Sequence, residues 1–329
     1  MKEHEWIGLI THGLKRDARQ RNRLFECDAE ILEMNGQLWA LTLDQFSPEE
    51  DMFSSEEPEI LGANLATATI SDLFAAGAMP EFFLQGLTIC HSADKVFVRR
   101  LAQGIVSVLS SVGCALCGGD LGEAEQWRFS GFAMGRVRDN KPLSRILPER
   151  SHSIWVTGNF GDANLAVLEK GPTPVFEVRN REAQVIHKYG TACIDTSGGL
   201  VDALWWLHTL NPDTRFEIDL NRIPLASGVR EAGKAEVPIE AFLLGGAGEY
   251  ELLFSVPEPI TSEIQDALQT IQTIRIGEVY PRSHAGLYFR KQGVVVSRME
   301  TEPPCPRENL NREAYIQSVL SVARKLAGE

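Results

Sequence analysis

The stretch NLATATISDLFAAGAMP, Asn64–Pro80, decides how the rest of the chain is read. Ala and Leu favour helix, and Gly77 with Pro80 supplies a stop. At about 100° per residue, Asn64 and Ser71 fall about 20° apart on one face, with Asp72 at its edge. The remaining faces are almost wholly apolar, so the spacing predicts a buried helix. A buried carboxylate is costly unless it is paired or holds a cation. Asp72 taken alone fits an aspartate bonded to a neighbouring loop. That is the ordinary reading; the sharper one is a metal ligand on a rigid helix, and only the rest of the chain separates the two.

Outward from this helix the chain alternates strands and helices. Glu30–Met34 and Leu38–Asp44 read as strands around the turn Asn35-Gly36. Asp28 and Asp44 mark the outer ends of this hairpin. Residues 5–25 read as an amphipathic helix that becomes basic at Lys15–Arg23, and Ser47–Glu59 as an acidic loop. Glu81–Ile89 reads as a strand, Ala93–Val112 as a helix, and Trp127–Val137 as a strand. Ala115–Asp120 reads as a short strand ending in a Gly-Gly-Asp turn. The polar, Pro-containing segment Lys141–Ser151 marks a domain boundary, giving 1–145 and 146–329. Beyond it come a strand at Ser153–Thr157, a strand ending at Asp195, and the helix Leu200–Leu210. A further glycine turn leads into Tyr250–Val256.

The 329 residues, 43% hydrophobic, suffice for two cores. The net charge of −13, without a Lys/Arg stripe, argues against nucleic acid or an anionic membrane as partner. No run approaches the roughly 20 apolar residues of a membrane span, and the N-terminal MKEHEWIGLI lacks the apolar region of a signal peptide. Six cysteines are too few for a disulfide scaffold of this size, so a cytoplasmic location is expected. Cys114 and Cys117 form a lone CxxC, which reads as packed thiols.

Three segments set a carboxylate against glycines: Gly118-Gly119-Asp120, Asp195-Thr196-Ser197-Gly198-Gly199 and Gly245-Gly246-Ala247-Gly248-Glu249. Glycines let backbone approach phosphate, and nearby aspartates suit magnesium during phosphoryl transfer. There is no Walker loop, no G-x-G-x-x-G after a strand, no HExxH and no GxSxG.

The order of these pieces resembles the AIR synthase-like ATP-binding superfamily, and within it the thiamine-monophosphate kinase branch, over about residues 22–280. The family's GDDAA is similar to Glu26–Glu30. Its NLSDLAAMGAxP helix is similar to Asn64–Pro80, and its GGD to Gly118-Gly119-Asp120. Its VTGxxGDA is similar to Val156–Ala163, its DxSDGL to Asp195–Leu200, and its GGEDYELLF to Gly246–Phe254. The resemblance implies an α/β (α+β type) fold of two domains, the first a mixed sheet with helices on one face. It implies ATP and magnesium as cofactors, a small-molecule acceptor and a homodimer paired through the N-terminal domains.

By the same resemblance, Asp28, Asp44, Asp72, Asp120 and Asp195 are expected to bind metal. Gly118, Gly119, Asp120, Arg145 and Ser197 are expected to contact the nucleotide, with Asp195 and Arg145 acting in catalysis. Asp51 and Glu249 fall at acceptor positions. Cys27, Gly198 and Gly248 replace family carboxylates, and Asp51 replaces a histidine. These departures leave open ATP-dependent activation of an amide oxygen, as in the AIR synthase and hydrogenase-maturation branches, and a non-catalytic nucleotide binder.

Overall fold

The computed structural model describes residues 3–48, 57–233, 237–281, 284–306 and 311–328. After helix α1 (Glu3–Thr11) the chain forms the hairpin β1 (Glu30–Met34) and β2 (Gln37–Phe46). Helix α2 (Pro58–Ala75), strand β3 (Ala78–Cys90), helix α3 (Lys95–Ser111) and strands β4 (Ala115–Ala124) and β5 (Arg128–Val137) complete the first half. These strands make one mixed sheet in the order β1-β2-β5-β3-β4, in which only β3 and β4 run parallel.

Helix α2 is buried on nearly every side, as its composition predicts; Leu65, Ile70 and Leu73 have no exposed surface. Pro58 sits in its first turn, where a missing N–H costs nothing. The helix ends where Ala76 N–H bonds to Asp72 O and Gly77 turns at φ 76°. Helices α2 and α3 cross in backbone contact. A Cβ on Gly62 would lie 2.0 Å from Leu101 O, and one on Gly104 2.0 Å from Glu59 O. Asn64 ties α2 to the second half: its side chain accepts from Phe176 N–H at 2.9 Å and donates to Pro174 O at 2.8 Å.

The second half holds β6 (His152–Val156), α4 (Asp162–Glu169), α5 (Asn180–Tyr189), β7 (Ala192–Asp195), α6 (Leu200–Leu210) and β8 (Thr214–Asp219). There follow α7 (Val229–Ala232), β9 (Leu252–Pro257), α8 (Ser262–Thr270), β10 (Ile274–Pro281), β11 (Gly286–Lys291), β12 (Val294–Met299) and α9 (Arg312–Ala327). The seven strands order as β12-β11-β8-β10-β6-β9-β7. The packing does not stop between the sheets. One buried cluster joins Leu65 and Ile70 of α2 to Trp155, Ile186, Cys193 and Phe254.

Three local expectations are corrected. The first helix stops at Thr11, and the basic run after it is turns and extended chain. Helix α2 begins at Pro58, inside the stretch read as loop. Gly118-Gly119-Asp120 is no turn: it lies within β4, where Gly119 opposes Gln85 and a Cβ would meet Gln85 O at 1.9 Å.

Candidate active site

The ends of β1, β2, α2, β7 and α6 meet around a cavity of about 490 Å³. Asp28 reaches it from the loop before β1, Asp44 from β2, Asp72 from α2 and Asp195 from the end of β7. Carboxylate oxygens of Asp28, Asp72 and Asp195 lie within 4.8 Å of one another. These residues come from three distant parts of the sequence, and each is placed by a different element.

The placement of each is fixed locally. Thr42 and Asp44 share a face of β2, because side chains alternate along a strand. Thr42 Oγ1 donates to Asp72 Oδ2 at 2.5 Å, so the strand orients the helix carboxylate. Ser197 N–H donates to Asp195 Oδ1 at 3.3 Å. Arg145 donates to Asp28 and is itself held from several sides. Its N–H donates to Glu26 O at 2.7 Å, and its carbonyl accepts from Asn211 Nδ2 at 2.8 Å. The Asp28 side chain is 1% exposed and Asp195 is 3% exposed.

The electrostatics are those of a site built to receive positive charge. Burial pushes the Asp28 carboxyl up to about 6, against the pull of Arg145 and with a further push from Asp195. Burial also raises Asp72 well above the usual carboxylate range, and Asp44, Asp195 and Asp28 add to it. Asp195 is raised by burial, opposed by the neighbouring hydroxyl of Ser71 and by Ser197. Burial works against the Arg145 charge, yet Asp28 beside it holds the guanidinium above its ordinary value. Cys27, next to Asp28, is an inert thiol: burial pushes it to about 12.

Magnesium and ATP, the cofactors expected from the sequence, can be tested against these residues. Asp28 Oδ2 and Asp195 Oδ2 are buried and have no hydrogen-bond partner. Buried carboxylate oxygens left unpaired are destabilising, whereas a hard dication takes oxygen ligands of this kind. The donor set therefore fits magnesium. Arg145 is the one basic side chain among the described residues lining the cavity, and it suits a phosphate oxygen.

The other expected site residues are placed as follows. Ser197 lines the cavity. Asp120, Gly118 and Gly119 do not. Along the sheet Asp44 opposes Gly131, Gly131 opposes Gln85, and Gln85 opposes Gly119. Asp120 is one residue further, so alternation turns it to the opposite face, roughly 14 Å across three strand spacings. Within the chain Asp120 thus stands apart from the carboxylate cluster. Glu249 is turned into the interior, 5% exposed, and accepts from Gly161 N–H at 2.8 Å. It contacts the chain itself and does not line the cavity. Asp51 lies outside the described residues.

Some lining residues were not singled out from sequence. Phe25 and Trp206 stack with centroids 5.7 Å apart, and both face the cavity, as does Asp202. The i, i+4 spacing of Asp202 and Trp206 on a helix was the available signal. Of the two thiols expected to be packed, Cys114 is buried and pushed to about 11 by that burial, whereas Cys117 is exposed.

Comparison with known proteins places this geometry. Residues 26–137 match the family described as AIR synthase related protein, N-terminal domain. The thiamine-monophosphate kinase of Pyrococcus horikoshii is 28% identical over 300 residues, covering 88% of this chain and 92% of that protein. That of Methanopyrus kandleri is 30% identical over 235 residues, covering 66% of this chain and 73% of the relative. The solved structure of AaThiL complexed with AMPPCP and TMP superposes with a TM-score of 0.73 at 22% identity. That match covers 92% of this chain and 96% of the other. With the two-sheet fold and the ordered segments around its carboxylates, the chain belongs to the thiamine-monophosphate kinase family, ATP-dependent phosphotransferases with an AIR synthase-like fold.

Proposed function

We propose that the chain transfers a phosphoryl group from magnesium-ATP to a small phosphorylated acceptor of the thiamine-phosphate type. The observation that carries this reading is the Asp28–Asp72–Asp195 cluster, with unpaired buried oxygens beside Arg145. The chain's similarity to a structure described as holding AMPPCP and TMP supports the same pairing of nucleotide and acceptor. Asp28, Asp44, Asp72 and Asp195 would hold magnesium, which supplies charge neutralisation to the phosphates. Arg145 places its charge where a transferred phosphoryl group develops negative density. Ser197, beside Asp195, offers a hydroxyl to a phosphate oxygen. No protein nucleophile is required: in-line attack by the acceptor phosphate needs position and electrostatics.

The open face of the first sheet exposes Leu43, Phe82 and Leu84. We assign this face to pairing of two copies as a homodimer, with Gly118, Gly119 and Asp120 of the edge strand meeting nucleotide near the two-fold. Asp51 is assigned to the acceptor side and the cytoplasm as the location.

The test is ADP release by purified protein with magnesium-ATP, with and without thiamine phosphate. Stimulation by thiamine phosphate is expected. Calorimetry with magnesium and AMPPCP gives the nucleotide affinity independently of turnover. Nucleotide binding without stimulation would remove this acceptor, and no nucleotide binding at any magnesium concentration would remove the reading.

A further inference from the structure

Helix α9 begins at Asn311, whose Oδ1 accepts from Glu313 N–H at 2.9 Å. Tyr315, Val319, Ala323 and Leu326 recur at helical spacing and are all buried. A buried phenol oxygen needs a partner. That of Tyr315, 3% exposed, accepts from Gly246 N–H at 2.8 Å. Asn164 of α4 holds the residues on either side. Its Oδ1 accepts from Ala247 N–H at 3.4 Å, and its Nδ2 donates to Gly245 O at 3.3 Å. The glycine turn 245–248 is thus gripped by two side chains, and these two N–H groups serve the chain instead of a phosphate. The Pro306 ring closes on the same turn: a Cβ on Gly246 would lie 2.6 Å from it.

What this turn supports is the turn that carries Asp195. The two meet backbone to backbone. A Cβ on Gly248 would lie 2.4 Å from Ser197 O, and one on Gly199 2.6 Å from Gly245 O. Thr196 N–H donates to Glu251 O at 2.9 Å, and Glu251 N–H donates to Thr196 Oγ1 at 3.0 Å. The chain leaving the glycine turn is therefore tied to the same segment. Close-packed backbone transmits a displacement, because it cannot rotate aside as a side chain can. Gly246, Ser197 and Asp195 line the cavity, and Tyr315 does not. We infer that Tyr315 is a positioning residue for the candidate active site: through Gly246 it sets the turn from which Asp195 and Ser197 reach metal and nucleotide.

The inference rests on the magnesium–nucleotide reading above, and the experiment separates the two. Tyr315→Phe keeps the ring in its packing and leaves Gly246 N–H without its acceptor. Ser297→Ala is the control: it removes the bond from Ser297 Oγ to Leu326 O, 3.1 Å, at the far end of α9. Calorimetry with magnesium-AMPPCP is run on the full chain, well below the melting temperature of each protein. Tyr315→Phe is expected to bind more weakly by about fivefold or more, and Ser297→Ala as tightly as wild type. Undiminished binding by folded Tyr315→Phe would overturn the inference alone; a lowered melting temperature with that result would make Tyr315 a support of the core only. An equal loss in both variants would also overturn it, by making the effect one of helix stability. Absence of binding by the wild-type chain would overturn both readings. If Tyr315→Phe does not fold, hydrogen exchange on the wild-type chain decides, because coupling is reciprocal. The peptide covering residues 312–320 should exchange more slowly with magnesium-AMPPCP bound, and unchanged exchange there would overturn the inference.

Discussion

The guanidinium of Arg145 donates to the carboxylate of Asp28 across 117 residues of sequence, and both groups are largely buried. Removing one partner of a buried pair typically costs about 3–5 kcal/mol, because the other charge is stranded. Arg145→Met should therefore strongly destabilise the metal-free protein. The stranded Asp28 then adds to the negative charge around Asp72 and Asp195, and a dication relieves it. Chemical denaturation with and without magnesium checks this: the deficit of the variant should shrink when magnesium is present.

Asp72→Asn should act in the opposite sense on stability. The carboxylate is raised by burial and by three neighbouring aspartates, so replacing it with a neutral amide relieves repulsion. The amide oxygen still accepts from Thr42. The metal-free variant should melt no lower than wild type while its affinity for magnesium-AMPPCP falls by about tenfold or more, about 1.4 kcal/mol. Paired melting curves and calorimetry read both quantities; unchanged affinity in the folded variant would return Asp72 to an ordinary buried polar residue.

The same carboxylates set a pH dependence. Asp28 is held at about 6 when folded, above the ordinary 3.8. Between these values the folded chain binds more protons than the unfolded one, so this group favours the fold at acid pH and that advantage is lost as pH rises through 6. In chelator, the melting temperature should fall between about pH 4 and pH 6.5 and then level. Magnesium should flatten that slope by stabilising the ionised form. A slope indifferent to magnesium would count against metal at this cluster.

Glu249 supplies a metal-independent counterpart. Burial holds its carboxyl at about 8, against 4.5 ordinarily. Glu249→Gln removes the ionisation while keeping an acceptor for Gly161 N–H. Its stability gain over wild type should widen by up to about 1.4 kcal/mol per pH unit from about pH 5 to pH 8, then level. Denaturant midpoints across that range measure it. A constant difference at all pH values would mean that Glu249 is ionised in the folded protein.

Gly104→Ala tests the scaffold. The added methyl would sit 2.0 Å from Glu59 O, so α2 and α3 must separate. Overpacking of this kind costs about 1–3 kcal/mol, more where backbone must move. Because α2 carries Asp72, magnesium-AMPPCP affinity should fall together with the melting temperature, although Gly104 is remote from the cavity lining.

Much of this arrangement was legible from residue pattern. The helix Leu200–Leu210 and the strand Glu30–Met34 have the bounds that periodicity predicts. The buried character of α2 followed from its being almost wholly apolar outside the one face that carries Asn64, Ser71 and Asp72. Pattern failed where tertiary context overrode local preference. Gly118-Gly119-Asp120 has turn composition, yet β3 holds it in a ladder at the sheet edge. The acidic, Pro-containing segment before α2 hid the start of that helix, because Pro58 marks an N-terminus as readily as a loop. Asp28, Asp72 and Asp195 could be ordered along the chain, but their convergence depends on how α2 packs against β2 and β7.

The buried cluster that runs from α2 into β6, α5, β7 and β9 has a consequence for how the protein comes apart. Leu65 and Ile70 share one buried cluster with residues from beyond position 150, so the first half does not retain a complete core when the second is lost. The two sheets should therefore melt as one cooperative unit, with calorimetric and van't Hoff enthalpies in agreement. The clustered carboxylates, gathered from both halves, would then separate together, and partial unfolding would leave no half-assembled cluster behind.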